Sequence, residues 1–134
     1  EILEAANELL GLGDYPNAKS GYEDVLRRDP DHVGSRNGLG WCSYKMGDYA
    51  GAYRDLLRAN SQVPSSISAF RLALSALAKG DTQEAVQLYT LAHAIYGSKE
   101  AGKIGAIMEL QKAPVDSVVR KESLLLFDDQ QMPP

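Results

Sequence analysis

Gly47-Asp48-Tyr49-Ala50-Gly51-Ala52 is preceded 34 residues earlier by Gly13-Asp14-Tyr15-Pro16-Asn17-Ala18 and followed 33 residues later by Gly80-Asp81-Thr82-Gln83-Glu84-Ala85. Each phrase opens with glycine and aspartate and reaches alanine five residues on. The match continues at nine and twelve residues from each glycine, through Tyr22 and Val25, Leu56 and Ala59, and Tyr89 and Ala92. A period of this length belongs to helical hairpins that stack on one another. Glycine suits the left-handed position just past a helix end, and aspartate suits the cap of the next helix. Small and large residues alternating on one helical face let a second helix approach closely while the larger side chain fills the gap beside it.

The units carry further punctuation. Pro30 closes Arg28-Asp29-Pro30 and Pro64 closes Gln62-Val63-Pro64, where a missing amide ends a helix. Upstream of the middle glycine stands Leu39-Gly40, with Ala5-Ala6 and Leu72-Ala73 in the equivalent places. From Ile2 to Tyr96 this pattern resembles the tetratricopeptide repeat family, which has a Leu-Gly pair, a Gly-Asp turn, an alanine followed four residues on by an aromatic, and a closing proline. The resemblance implies an all-α fold, a right-handed superhelical stack of antiparallel helix hairpins. Two departures stand out. The bulky aromatic that the family carries early in its first helix is replaced by Ile2, Arg36 and Ala69, and the third unit is one residue short, which places the lost residue in the turn near Pro64.

The capping and periodicity signals predict helices over 2–10, 15–28, 32–46, 49–59, 65–79 and 82–96, with Asp81 and Glu84 spaced as a capping box. Ser98 caps a seventh helix that Pro114 stops. The predicted organisation is a repeat domain over 1–114, made of repeats at 1–30, 31–64 and 65–97 and a capping helix at 98–113. Residues 115–127 read either as an additional helix on the stack or as a segment that pairs with another molecule, including a second copy of the chain. The polar stretch 128–134 reads as a disordered tail.

Composition narrows the function classes. The chain has 134 residues, a formal net charge of −4 and 44% hydrophobic content, ordinary for a globular protein. Residues 1–30 hold seven acids and three bases, 31–64 three acids and four bases, and 65–97 two of each. This lacks the basic field of a nucleic-acid module, so no nucleic acid is predicted as partner. No apolar run approaches the roughly 20 residues of a membrane span, so no direct membrane insertion is expected. Glu1 falls inside a helix-like apolar pattern, the expectation for a piece of a longer protein. A single cysteine, Cys42, leaves cytosol and periplasm equally open and reads as a buried thiol.

No catalytic constellation emerges. His32 and His93 lack a third ligand at metal spacing, so no metal or cofactor is predicted. Gly11 with Gly13, and Gly38 with Gly40, do not follow strands and are not phosphate loops. Glu23-Asp24 and Asp128-Asp129 are adjacent in sequence and do not converge.

The resemblance does imply a surface. In the family the first helices of successive hairpins line a concave groove, and by register with the three turn glycines this selects Asn7, Asn37, Trp41, Tyr44, Lys45, Phe70, Arg71 and Leu74. Trp, Tyr, Phe and Arg give large contact area for small entropy loss at interfaces. Asn side chains bridge a peptide amide and carbonyl, and Lys45 with Arg71 suits a carboxylate. The alternative is that Trp41 and Phe70 pack between helices. Gly34 and Gly38, on the same face as Trp41, read as a lowered groove floor or as a close helix contact. A subset of the family grips the carboxylates of heat-shock chaperones with a five-residue clamp. Only Asn7 and Arg71 fit it, with Leu3, Gly38 and Ile67 in the other places, so that activity is not expected. The predicted function is a non-enzymatic scaffold that binds a protein or peptide partner; a structural spacer or a regulatory appendage of an enzyme is the alternative.

Overall fold

The turn glycines decide where one helix stops and the next begins. Gly13, Gly47 and Gly80 have φ of 81, 90 and 96°, in the left-handed region that only glycine enters without steric cost. The computed structural model of the chain describes residues 1–96. They form six helices and no strand: α1 (Ile2–Gly11), α2 (Tyr15–Arg28), α3 (Val33–Lys45), α4 (Tyr49–Gln62), α5 (Ser66–Ala78) and α6 (Thr82–Tyr96). The predicted all-α helical repeat is present. The helix expected from Ser98, the stretch 115–127 and the tail lie outside the described residues, as does the end of the third repeat at residue 97.

Each turn has the same hydrogen bonds. The glycine amide donates to the carbonyl three residues back, Leu10, Tyr44 or Leu77, and the aspartate amide to the carbonyl five back, Leu9, Ser43 or Ala76. This Schellman pattern satisfies two carbonyls that a helix end would leave without partners. The aspartate side chain then caps the next helix, with Gly51 N–H donating to Asp48 at 3.0 Å and Glu84 N–H to Asp81 at 3.2 Å. The Asp81 amide donates to the Ala76 carbonyl at 2.9 Å.

Six boundaries differ from the sequence expectation; the ends of α1 at Gly11, α3 at Lys45 and α5 at Ala78 each shift by one residue. Helix α4 runs to Gln62 instead of ending at Ala59, since nothing before Pro64 removes an amide. Ser65 stands outside α5 as its N-cap, accepting from Ser68 N–H at 3.1 Å. His32 caps α3, its Nδ1 accepting from Ser35 N–H at 3.0 Å, so the neutral imidazole carries its proton on Nε2. Four residues, 29–32, separate α2 from α3, whereas three, 63–65, separate α4 from α5, placing the shortened turn beside Pro64.

The chain divides into two compact units, Glu1–Pro64 and Ser65–Pro134, the division falling between the second and third predicted repeats. In the first, α1 packs on α2, α2 on α3, α3 on α4, and α1 also touches α3. In the second, α5 packs on α6. The small residues picked out by the repeat, Ala18, Ala52, Ala59, Ala85 and Ala92, are buried, as are Tyr22, Leu56 and Tyr89. Cys42 is buried too. Glycine supplies the closest approaches. A Cβ on Gly21 would lie 2.8 Å from Ala6 Cβ, one on Gly38 2.5 Å from Tyr22 Cζ, and one on Gly40 2.7 Å from Leu56 Cγ. Gly38 therefore serves helix packing and not a groove floor.

Arg36 takes the place of the missing aromatic in its own way. Its guanidinium donates to the Pro30 carbonyl at 2.9 Å and lies 3.6 Å from the buried carboxylate of Asp55, tying the α2–α3 turn to α4.

Two glycines of α3, Gly34 in its first turn and Gly38 in its interior, give opposite expectations. Gly38→Ala forces the Tyr22 ring aside and should destabilise the protein by about 1–3 kcal/mol. Gly34→Ala meets only ordinary contact at 3.4 Å and should stabilise by up to about 1 kcal/mol. Urea unfolding of both variants checks the pair; a shift of the same sign in both would contradict the close contact.

Candidate partner-binding site

Residues four apart share a face of a helix, so Asn37, Trp41 and Lys45 form one stripe along α3. All three are half-buried. Tyr44 lies one turn from Trp41 and is buried. Its ring stacks on the indole with centroids 5.0 Å apart and planes 5° from parallel. Tyr49, at the start of α4, packs on Tyr44 at 5.5 Å with a tilt of 59°. The Lys45 ammonium sits 5.0 Å from the centre of the Trp41 ring. Tyr44 and Lys45, three and four residues on from Trp41, both reach its ring. Such a cation–π contact contributes about 0.5–1 kcal/mol at an exposed site.

The stripe is fixed from behind. Gly38 seats α3 on the Tyr22 ring and Gly40 seats it against Leu56. Tyr22 also reaches α1, where its hydroxyl donates to the Asn7 side-chain oxygen at 2.7 Å. One tyrosine thus spans α2, the backbone of α3 and the exposed amide of Asn7, which couples Asn7 to the α3 stripe.

Of the sequence-predicted residues, Asn7, Asn37, Trp41, Tyr44 and Lys45 belong to the first unit. Tyr44 contributes from underneath rather than as contact surface. In the second unit Arg71 is half-buried on α5. Phe70 and Leu74, predicted as groove anchors, are 3% and 1% exposed. In this structure they are core residues, because an enclosed side chain has no area left to give a ligand. Tyr22 and Tyr49 were not among the predicted site residues. The tyrosine after Gly-Asp in two of the three phrases, Tyr15 and Tyr49, was the available signal for the second.

A cavity of about 380 Å³ is bordered by Ile2, Leu3, Val25, Arg28 and His32 and shares none of the stripe residues. The stripe residues Asn37, Trp41 and Lys45 are themselves half-buried. Among the described residues no group of three His, Cys, Asp or Glu is placed to hold a metal ion, and no helix is long and apolar enough to cross a membrane.

The sequence model of the family described as tetratricopeptide repeat matches residues 3–64 and 50–99. Among solved structures, the chain superposes with a TM-score of 0.73 on a mutant O-GlcNAc transferase from Thermobaculum terrenum, at 21% identity over 96% of this chain and 25% of that one. It superposes with a TM-score of 0.70 on MamA from AMB-1, at 18% identity over 97% of this chain and 75% of that one. The chain thus spans a quarter of the transferase and three quarters of MamA. At these identities the likeness is one of fold. No curated protein sequence matches the chain.

The two residues flanking Trp41 should separate cleanly by mutation. Tyr44→Ala removes a buried ring and should cost about 3–5 kcal/mol, whereas Lys45→Ala should cost no more than about 1 kcal/mol. Thermal unfolding followed by circular dichroism measures both; a large loss in the lysine variant would make Lys45 a structural residue.

Proposed function

Because the chain belongs to the tetratricopeptide repeat family, whose members are protein–protein interaction modules, we propose that it is a non-enzymatic scaffold that holds a peptide segment of a protein partner on the Asn37–Trp41–Lys45 stripe of α3. The observation that carries this reading is the ordered cluster of Tyr44, Trp41 and the Lys45 ammonium on a helix packed against α1, α2 and α4. A side chain already held by its neighbours loses little entropy when a ligand covers it, so more of the contact energy appears as affinity. The edge of the indole gives apolar area, the ammonium favours a carboxylate or carbonyl oxygen of the partner, and Asn37 offers a donor and an acceptor to its backbone. Asn7 extends the surface along α1, its carbonyl oxygen already steadied by Tyr22.

Trp41 is the chain's one tryptophan, so its emission reports on the site directly. Peptides selected from a random twelve-residue display library against the intact protein should shift that emission on titration. Lys45→Ala should weaken the selected peptides at least tenfold, about 1.4 kcal/mol, and Trp41→Ala, followed by calorimetry, should weaken them more. Selected peptides that bind both folded variants as tightly as the original protein would remove the stripe from the function.

A further inference from the structure

Asn7, Trp41 and Leu74 hold equivalent positions on the first helices of the three hairpins, and Tyr22, Leu56 and Tyr89 hold equivalent positions on the second helices. Leu56 is as fully buried as Tyr22, and it serves the close contact at Gly40 as the Tyr22 ring serves the one at Gly38. An isobutyl group thus meets the packing demand of this position, which does not require a hydroxyl. In Tyr22 the hydroxyl is spent elsewhere, donating to Asn7 Oδ1 at 2.7 Å. The first repeat alone pairs a phenol with an amide at these two positions: the second has Leu56 with Trp41, and the third has Tyr89 with Leu74.

That bond decides what Asn7 can offer. A carboxamide turns about its last torsion and presents either its oxygen or its NH2 group. With Oδ1 held by Tyr22, the exposed Asn7 presents its Nδ2 hydrogens and acts as a donor. The Trp41 indole and the Lys45 ammonium on the adjoining helix have the same sense, since both donate and neither accepts. Glu4, exposed one turn before Asn7 on α1, disfavours a carboxylate there, so a neutral carbonyl is the acceptor that suits the amide. The charged acceptor suits Lys45. We propose that Tyr22 is a positioning residue that fixes Asn7 as a hydrogen-bond donor, and that the partner segment is extended, with a main-chain carbonyl on Asn7 and an aspartate or glutamate on Lys45. Because α1 touches α3 and packed helices lie about 8–10 Å apart, about three residues of extended chain, at roughly 3.3 Å each, separate the two contacts. The inference rests on the reading that the α3 stripe binds a peptide.

Variants of the intact protein test it, with the peptides selected from the display library as probes and calorimetry as the measure of affinity. Asn7→Asp keeps an oxygen for the Tyr22 hydroxyl but replaces the donor by a second acceptor, and should weaken the peptides about tenfold or more. Tyr22→Phe keeps the ring on Gly38 and should weaken them several-fold, with no further effect in an Asn7→Ala background. A ring that acted through packing alone would weaken binding equally in both backgrounds. Replacing the acidic residues of a selected peptide by Asn or Gln should reduce its affinity for the original protein and leave that for Lys45→Ala unchanged. A Tyr22→Phe effect that persists without Asn7 would overturn the positioning role, and selected peptides that lack Asp and Glu would overturn the charge assignment. Trp41→Ala separates the inference from the reading beneath it. Weakened binding in that variant beside undiminished binding by Asn7→Asp sinks the positioning role alone, whereas undiminished binding by both sinks the α3 site with it.

Discussion

The approach of the Tyr22 ring to the α3 backbone at Gly38 is the constraint on which the first unit depends. With no Cβ at position 38, the ring of α2 lies against the helix itself, and a single methyl group there would fall 2.5 Å from Tyr22 Cζ. The same ring carries the hydroxyl that holds Asn7, so the spacing of α1, α2 and α3 is set by one residue. Gly21 against Ala6 and Gly40 against Leu56 repeat the device at the neighbouring contacts. Each helix-interior glycine costs about 0.5–1 kcal/mol relative to alanine. The cost is offset where close approach brings a large side chain such as Tyr22 or Leu56 to full burial.

How much of this was legible follows from what a repeat encodes. Gly13, Gly47 and Gly80 announced the turns because only a left-handed residue followed by a capping aspartate satisfies the same amides and carbonyls three times. Ala18, Ala52 and Ala85 announced the buried faces for a similar reason. The caps were harder to read. Histidine at position 32 caps through an imidazole nitrogen, a role usually taken by oxygen side chains. Gly38 was legible as a small residue on a particular face but not as a contact to Tyr22, since the identity of the facing side chain depends on how two helices meet. Arg36 looked like a loss of the family aromatic until its guanidinium was seen to bond Pro30 and pair with Asp55.

The site was legible as a set of positions, not as a set of environments. Register with the turn glycines chose Asn37, Trp41 and Lys45, which the structure aligns on one stripe, and Phe70 and Leu74, which it encloses. Sequence period fixes the direction in which a side chain points relative to its own helix. It says nothing of whether another part of the chain arrives from that direction. Tyr49 illustrates the converse: it belongs to the neighbouring helix, yet it completes the aromatic stack because the Gly47-Asp48 turn brings the first residue of α4 beside Tyr44.

The composition of the two faces explains why burial diverges along the repeats. On α3 the register offers an amide, an indole and an ammonium, each of which keeps a polar group that is costly to enclose without a partner. On α5 the same register offers a phenyl ring and an isobutyl group, which gain about 1.5–3 kcal/mol each on full burial. A shared hairpin geometry therefore produces a half-open surface where its side chains need water or a polar ligand, and a closed one where they do not. The distinction lies in the side chains at two positions per repeat, while the turns and small residues that build the hairpins stay the same.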